Sequence, residues 1–192
     1  MHPFPQVMAG ARNPREQTWA WNTADKGANV ALSNLNRTMA AASISGGTVR
    51  GTNGMAAAGK WYFEILADAD PAARLHVGMA DAVTLLTEFP GHLGGNIGWV
   101  AITGDLRQGD NTIRTIAPYA PGDRIGIAFD AGASIFWVAK NNAWQFGNPN
   151  TGLLGDFALG HAFFPYVGGW SGSQCTAPAN TFYDPPAGFL TF

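Results

Sequence analysis

Few residues in this 192-residue sequence are of the types, and at the spacing, that catalysis needs. Glycoside hydrolysis takes two carboxyl groups held a few ångströms apart. The sequence has only three Glu, at Glu16, Glu64 and Glu88, and no second carboxylate follows Glu64 before Asp68. Asp68 and Asp70 share a strand face but sit at a strand end, where solvated turn carboxylates are the expectation. A serine nucleophile elbow needs G-x-S-x-G, and no serine has it. His2, His76, His92 and His161 are scattered without metal-ligand spacing. His76 is expected in or beside a strand, His92 and His161 in loops. The glycine-rich run 91–98 lacks the Lys-Ser/Thr of a phosphate-binding loop. Asp105, Asp110 and Asn111 are oxygen donors that calcium accepts, but their spacing fits no standard calcium loop and reads as a solvated turn. No catalytic residue, metal or cofactor is implied.

Binding is better served. Four segments, 85–96, 103–114, 141–156 and 170–179, read as long loops carrying aromatic, amide and Gly residues with few charges. Loops held on a rigid scaffold are where recognition concentrates. Asp105, Gln108, Asp110, Asn111, Asn148 and Asn150 are the kind of side chain that reads sugar hydroxyls, with aromatic faces for the C–H surfaces. The same residues also serve simply to turn corners between strands.

These loops need a strand scaffold. Aromatics make up 12% of the chain, charged residues only 12%, and there are 25 Gly and 12 Pro; a typical domain is roughly a quarter charged. Short strands joined by turns fit this composition. In 59–68, Trp61, Phe63 and Ile65 alternate with Tyr62, Glu64 and Leu66. Glu64 needs a partner if buried, and Lys60 or Arg124 can supply it. In 124–130, Ile125, Ile127 and Phe129 face one way, while Gly126 and Ala128 leave room on the other for a strand or a large aromatic. The turn at Ala131-Gly132 leads into 134–140, a hairpin. Further strands are expected at 29–33, 43–50, 75–80, 97–102, 163–170 and 180–192, and one helical turn at 55–58. The expected fold is all-β, an antiparallel two-sheet sandwich spanning residues 18–192. Residues 1–17, with three Pro, read as an arm or linker.

Six motifs, in order, resemble the SPRY family. Gly59-Lys60-Trp61-Tyr62-Phe63-Glu64-Ile65 is similar to its signature strand, and His76-Val77-Gly78-Met79-Ala80 to the strand that follows. Residues 122–130 resemble its G-D-x-I-G strand, and 135–142 the hairpin arm, with Asn142 where Gly is usual. Phe164-Pro165-Tyr166-Val167 and the pair Asn180-Thr181-Phe182 and Gly188-Phe189 complete the set; the last is lengthened by Asp184-Pro185-Pro186-Ala187. The resemblance implies a concanavalin A-like jelly-roll sandwich that binds and does not catalyse. In peptide-binding SPRY domains the segment after the P-x-V strand contributes to the pocket, which marks Gly169, Trp170 and Ser171. Trp170 either reaches a ligand or caps the core edge. Thr18-Trp19-Ala20-Trp21-Asn22 and residues 143–149 look like bacterial and phage members, often virion or tail-fibre parts. The resemblance thus implies a phage or prophage virion component contacting a host-surface glycan or another virion protein, plausibly as a trimer. The alternatives are an intracellular adaptor that recognises a short peptide and, last, a glycan-cleaving enzyme.

Bulk properties narrow the partners. Net charge is −2 without a basic run, so no nucleic acid is expected. No apolar run reaches the length of a membrane span, and residues 1–10 lack signal-peptide character. The single Cys175 excludes an internal disulfide. Maturation in the cytoplasm is expected, with a place in the virion if the chain is phage-derived.

Overall fold

Period-two alternation in this chain folds into two antiparallel sheets that share one core. The computed structural model describes residues 18–56, 58–92, 95–152, 155–157 and 163–191. The expected arm at 1–17, and His2 and His161, lie outside them.

The first sheet runs in the order β1 (Trp21–Lys26), β4 (Gly47–Gly51), β14 (Phe163–Gly169), β6 (His76–Asp81), β7 (Ile97–Val100), β8 (Asp105–Gln108) and β9 (Asn111–Thr115). The second runs β12 (Ala143–Trp144), β11 (Ile135–Lys140), β10 (Arg124–Asp130), β5 (Lys60–Ala69), β15 (Gln174–Thr176), β3 (Thr38–Ala41) and β2 (Val30–Ser33), with β13 (Asp156–Phe157) also on β11. No described residue is helical, so no helix among them is long and apolar enough to cross a membrane. The expected helical turn at 55–58 is absent from its described residues. Instead Met55 is buried and bridges Phe163.

The alternating residues of β5 and β10 meet as anticipated. Phe63 sits opposite Ile127 and Ile65 opposite Ile125. With Phe129, Phe136 and Val138 they face Val49, Val77, Met79, Trp99, Leu106 and Val167 from the other sheet in a single cluster. Trp19 and Trp21 close one end, their rings edge-to-face at 4.8 Å. The Asn141-Asn142 turn between β11 and β12 has φ of 50° and 67°, a conformation Asn tolerates better than most side chains. This explains why Asn142 can replace Gly.

The outer faces are buried too. On the second sheet, Tyr62 fills the space above Gly126, where a Cβ would lie 2.7 Å from its hydroxyl, the large aromatic anticipated there. Residues 180–191 cross this face. They do not form the expected final strand; only isolated bridges occur, such as Leu190 with Trp61. Pro185 and Pro186 have no N–H to give a ladder. The segment is instead held by Glu64. This carboxylate, fully buried, accepts from Tyr62 Oη (2.8 Å), Phe182 N (2.8 Å) and Tyr183 N (2.9 Å). Arg124, not Lys60, is its cationic partner, at 3.6 Å. Lys60 pairs with Asp130.

Two expected loops contain strands. Segment 103–114 is the β8–β9 hairpin, turned at Gly109 and Asp110 with φ of 56° and 68°, the two-residue geometry favoured in hairpins. Segment 170–179 holds β15, which pairs with both β3 and β5.

Candidate functional site

On the first sheet the outward positions include Thr48, Arg50, His76, Gly78, Gly98, Tyr166 and Gly168. Residues 82–92 lie across them as a strap. Gly98 lets the strap touch the sheet: a Cβ there would lie 2.2 Å from the backbone carbon and oxygen of Pro90. At Gly168 a Cβ would meet Phe89 at 2.7 Å. The polar side chains below hold the strap's carbonyls. Arg50 Nη1 donates to Thr84 O (2.5 Å) and Asp81 O (3.2 Å) while its other nitrogens form a fork on Asp25. Thr48 Oγ1 donates to Leu86 O, Tyr166 Oη to Glu88 O, and Asn96 Oδ1 accepts from Gly91 N. An alanine at position 98 must lift Pro90, so Gly98→Ala is expected to cost about 1 to 3 kcal/mol, as overpacking does. Hydrogen exchange should accelerate at the Glu88 and His92 amides; unchanged exchange would contradict the packing described.

The strap delivers Phe89 to Trp170. Their rings stack in parallel, 3.9 Å apart at 4°. His76 lies 5.6 Å from Trp170 and 5.5 Å from Phe89, and His92 flanks both His76 and Phe89. His76 is buried on β6, and its Nδ1–H donates to Pro90 O at 3.1 Å. Burial, the largest influence, pushes its pKa down to about 4, against the opposing carbonyl contact. Beside Phe89, between the 27–29 turn, residues 45–48 and Leu86-Thr87, opens a cleft of about 270 Å3 with no charged side chain in its lining. It approaches the size of a small ligand pocket.

Of the sequence candidates, Gly169 ends β14 in the core, Trp170 forms the stack, and Ser171 is exposed beside it. Asp110 joins this group at its edge, its Oδ1 3.0 Å from His92 Nδ1. The others lie apart and are engaged in their own structure. Asp105 accepts from Thr115 and Arg107, contacts that lower its pKa against the opposing effect of burial. Gln108 is on β8 opposite Asn111. Asn111 Nδ2 donates to Gly109 O, Asn148 Oδ1 accepts from Asn150 N, and Asn150 Oδ1 accepts from Ala187 N. Asp70, expected in a solvated turn, is buried instead and accepts from Arg74 N, Leu75 N and Ser173 Oγ. Phe89 and Arg74 were not singled out by sequence. The signal for Phe89 was glycine at outward strand positions, which marks close backbone approach.

Solved structures with the same architecture include the SPRY domain of human HERC1, with a TM-score of 0.68 and 14% identity over 86% of this chain and all of that one. This chain has the SPRY fold. A human SPRY domain aligns at 0.65 and 18% identity, covering 82% of this chain and 99% of that one. The TRIM65 PSpry domain aligns at 0.63 and 15%, covering 86% and 93%. No family model matches the sequence, and the search of curated proteins finds no match. At these identities the likeness to SPRY domains is one of fold, and the binding reading rests on the site itself.

Proposed function

We propose that this SPRY-fold chain is a non-catalytic recognition domain that grips a segment of a partner protein against Phe89 and Trp170. The observation that carries this reading is the parallel Phe89–Trp170 stack at the rim of an uncharged cleft. Paired aromatics beside a concavity are the composition of a binding hot spot. The buried carboxylates Glu64 and Asp70 already hold backbone amides, which leaves them no role as acid and base. Most of the amide and carboxylate groups expected to read sugar hydroxyls, Asp105, Asp110, Asn111, Asn148 and Asn150, already contact groups of this chain, which favours a protein partner over a host-surface glycan. The phage-like variants at 18–22 and 143–149 extend the proposal to a phage or prophage virion component whose partner is another virion protein.

A random peptide display library tests it. The wild-type chain is expected to enrich a consensus, and Trp170→Ala, which removes a half-buried side chain, is expected to weaken binding to that peptide by about thirtyfold or more while the domain stays folded. A consensus indifferent to Trp170→Ala, or a glycan-array signal with no peptide consensus, would overturn the proposal.

A further inference from the structure

We infer that Arg74 is a carboxylate anchor at the rim of this site, so that the partner segment carries an Asp, a Glu or a C-terminal carboxylate beside the residue that meets Trp170. The inference rests on the protein-recognition reading above and deepens it.

Arg74 stands apart from the other described cations. Lys26, Arg37 and Lys140 donate to backbone carbonyls. Arg50, Lys60, Arg107, Arg114 and Arg124 pair with carboxylates. The Arg74 guanidinium alone, among the described residues, has no oxygen partner; it lies over the Trp170 ring at 5.4 Å. A cation–π contact of this kind uses none of the guanidinium N–H donors as hydrogen bonds, and the Arg74 side chain is exposed. Planar donors of this kind match a carboxylate in bidentate geometry.

The position is built. Ala73, just before Arg74, has a φ of 51°, a conformation unfavourable for a residue with a Cβ and found where surrounding structure imposes it. Here Asp70 imposes it. Its backbone carbonyl accepts from Ala73 N at 3.0 Å, and its carboxylate accepts from Arg74 N and Leu75 N. The same carboxylate takes Ser173 Oγ at 2.8 Å, tying the Arg74 turn to the turn after Trp170. Gly172 closes the junction: a Cβ there would lie 2.6 Å from Pro71. Asp70 thus spends its charge on backbone and hydroxyl donors and leaves Arg74 unneutralised.

An acidic peptide is favoured over an acidic sugar. Phe89 covers one face of the Trp170 indole and Arg74 lies near the ring, which leaves less open aromatic face than a sugar ring grips, while the part-exposed remainder of Trp170 can still pack against a peptide side chain. What the site presents is an exposed guanidinium beside Trp170, whose stacking partner Phe89 lines the uncharged cleft.

The same peptide library separates this inference from the reading beneath it. Wild-type selection is expected to yield a consensus with one fixed acidic position. The consensus peptide with that residue changed to its amide should bind about tenfold or more weakly, the usual size of a hydrogen bond to a charged group. Arg74→Gln should bind the acidic and amide peptides equally, and Arg74→Lys should restore part of the difference. A Trp170-dependent consensus without an acidic position would overturn the Arg74 inference and leave protein recognition standing. So would an acid preference unchanged in Arg74→Gln. Absence of any peptide consensus, with binding of sialic or uronic acid glycans, would overturn both.

Discussion

Replacing Glu64 with alanine is expected to destabilise the domain by about 3 to 5 kcal/mol, the range for removing one partner of a buried, hydrogen-bonded ion pair. Three donors lose their acceptor at once, the Tyr62 hydroxyl and the amides of Phe182 and Tyr183, and the Arg124 guanidinium loses its ion-pair partner at 3.6 Å. Arg124 is 24% exposed and can turn to water. The Tyr62 hydroxyl is buried and can do so only if the cover opens. Its own pKa is pushed far up, by burial first and then by the Glu64 carboxylate, so it stays a neutral donor. The cover is the 180–191 segment, whose Phe189 packs with Tyr62, Ala128 and Trp137. Freed of Glu64, that segment should detach before the sandwich unfolds, and Trp137 should become accessible to a fluorescence quencher at lower denaturant than the core tryptophans. Glu64→Gln keeps one acceptor oxygen and should fall between wild type and Glu64→Ala. If Glu64→Ala and wild type have the same denaturation midpoint, the carboxylate does not hold the segment.

That Glu64, if buried, would need a cationic partner could be read from its place on an alternating apolar strand, with Lys60 and Arg124 both candidates; only the fold selects Arg124. What the carboxylate holds could not be read this way. The six ordered motifs made the scaffold legible because strand alternation and turn glycines are local properties: Phe63 and Ile127, or Gly59 and Gly122, announce themselves within a few residues. Local signals failed where they were weak or overridden. Strand β3 is Thr-Met-Ala-Ala, too short and small to stand out, and it forms because β2 and β15 flank it. Gly109-Asp110 is a hairpin turn in a segment whose polar residues read as loop. The C-terminal residues had the motif of a strand but two prolines where a ladder needs N–H groups. Of the candidate site's aromatic stack, only Trp170 was marked in the sequence, with Asp110 and Ser171 at its edge. Trp170 followed from a family resemblance, whereas its neighbours Phe89, His76 and Arg74 come from three other segments that only the folded sheet and strap bring together. Glycines at 98 and 168 recorded that meeting, since each faces outward from a strand and each would collide with Pro90 or Phe89 if it carried a side chain.

Acid should loosen the strap in a defined window. His76 binds a proton near pH 4 in the folded chain and near 6.5 when unfolded. Between those values the unfolded state holds more protons, so stability falls as pH is lowered from about 6.5 towards 4 and is flat with respect to this group above that range. The full loss is about 3 kcal/mol, at about 1.4 kcal/mol for each pH unit between the two pKa values. The cause is geometric. Protonation would place a charge on a ring enclosed by Phe89, Trp170 and His92, with Arg107 adding repulsion and Asp70 offsetting part of it. Opening the strap hydrates that ring at less cost than unfolding the sandwich, because local openings draw on the least stable segment. Amide exchange at Glu88 and His92 should therefore rise between pH 6.5 and 4.5 before the global transition moves, and peptide affinity at Trp170 should fall with it. His92 contacts Asp110 at the strap's outer edge, and His92→Asn tests whether that contact shares in the response. His76→Phe keeps an aromatic ring in place and cannot be protonated. It should lower stability at neutral pH, through loss of the bond to Pro90, yet show a flat strap-exchange profile across the window. A profile in His76→Phe as steep as in wild type would assign the acid response to another group.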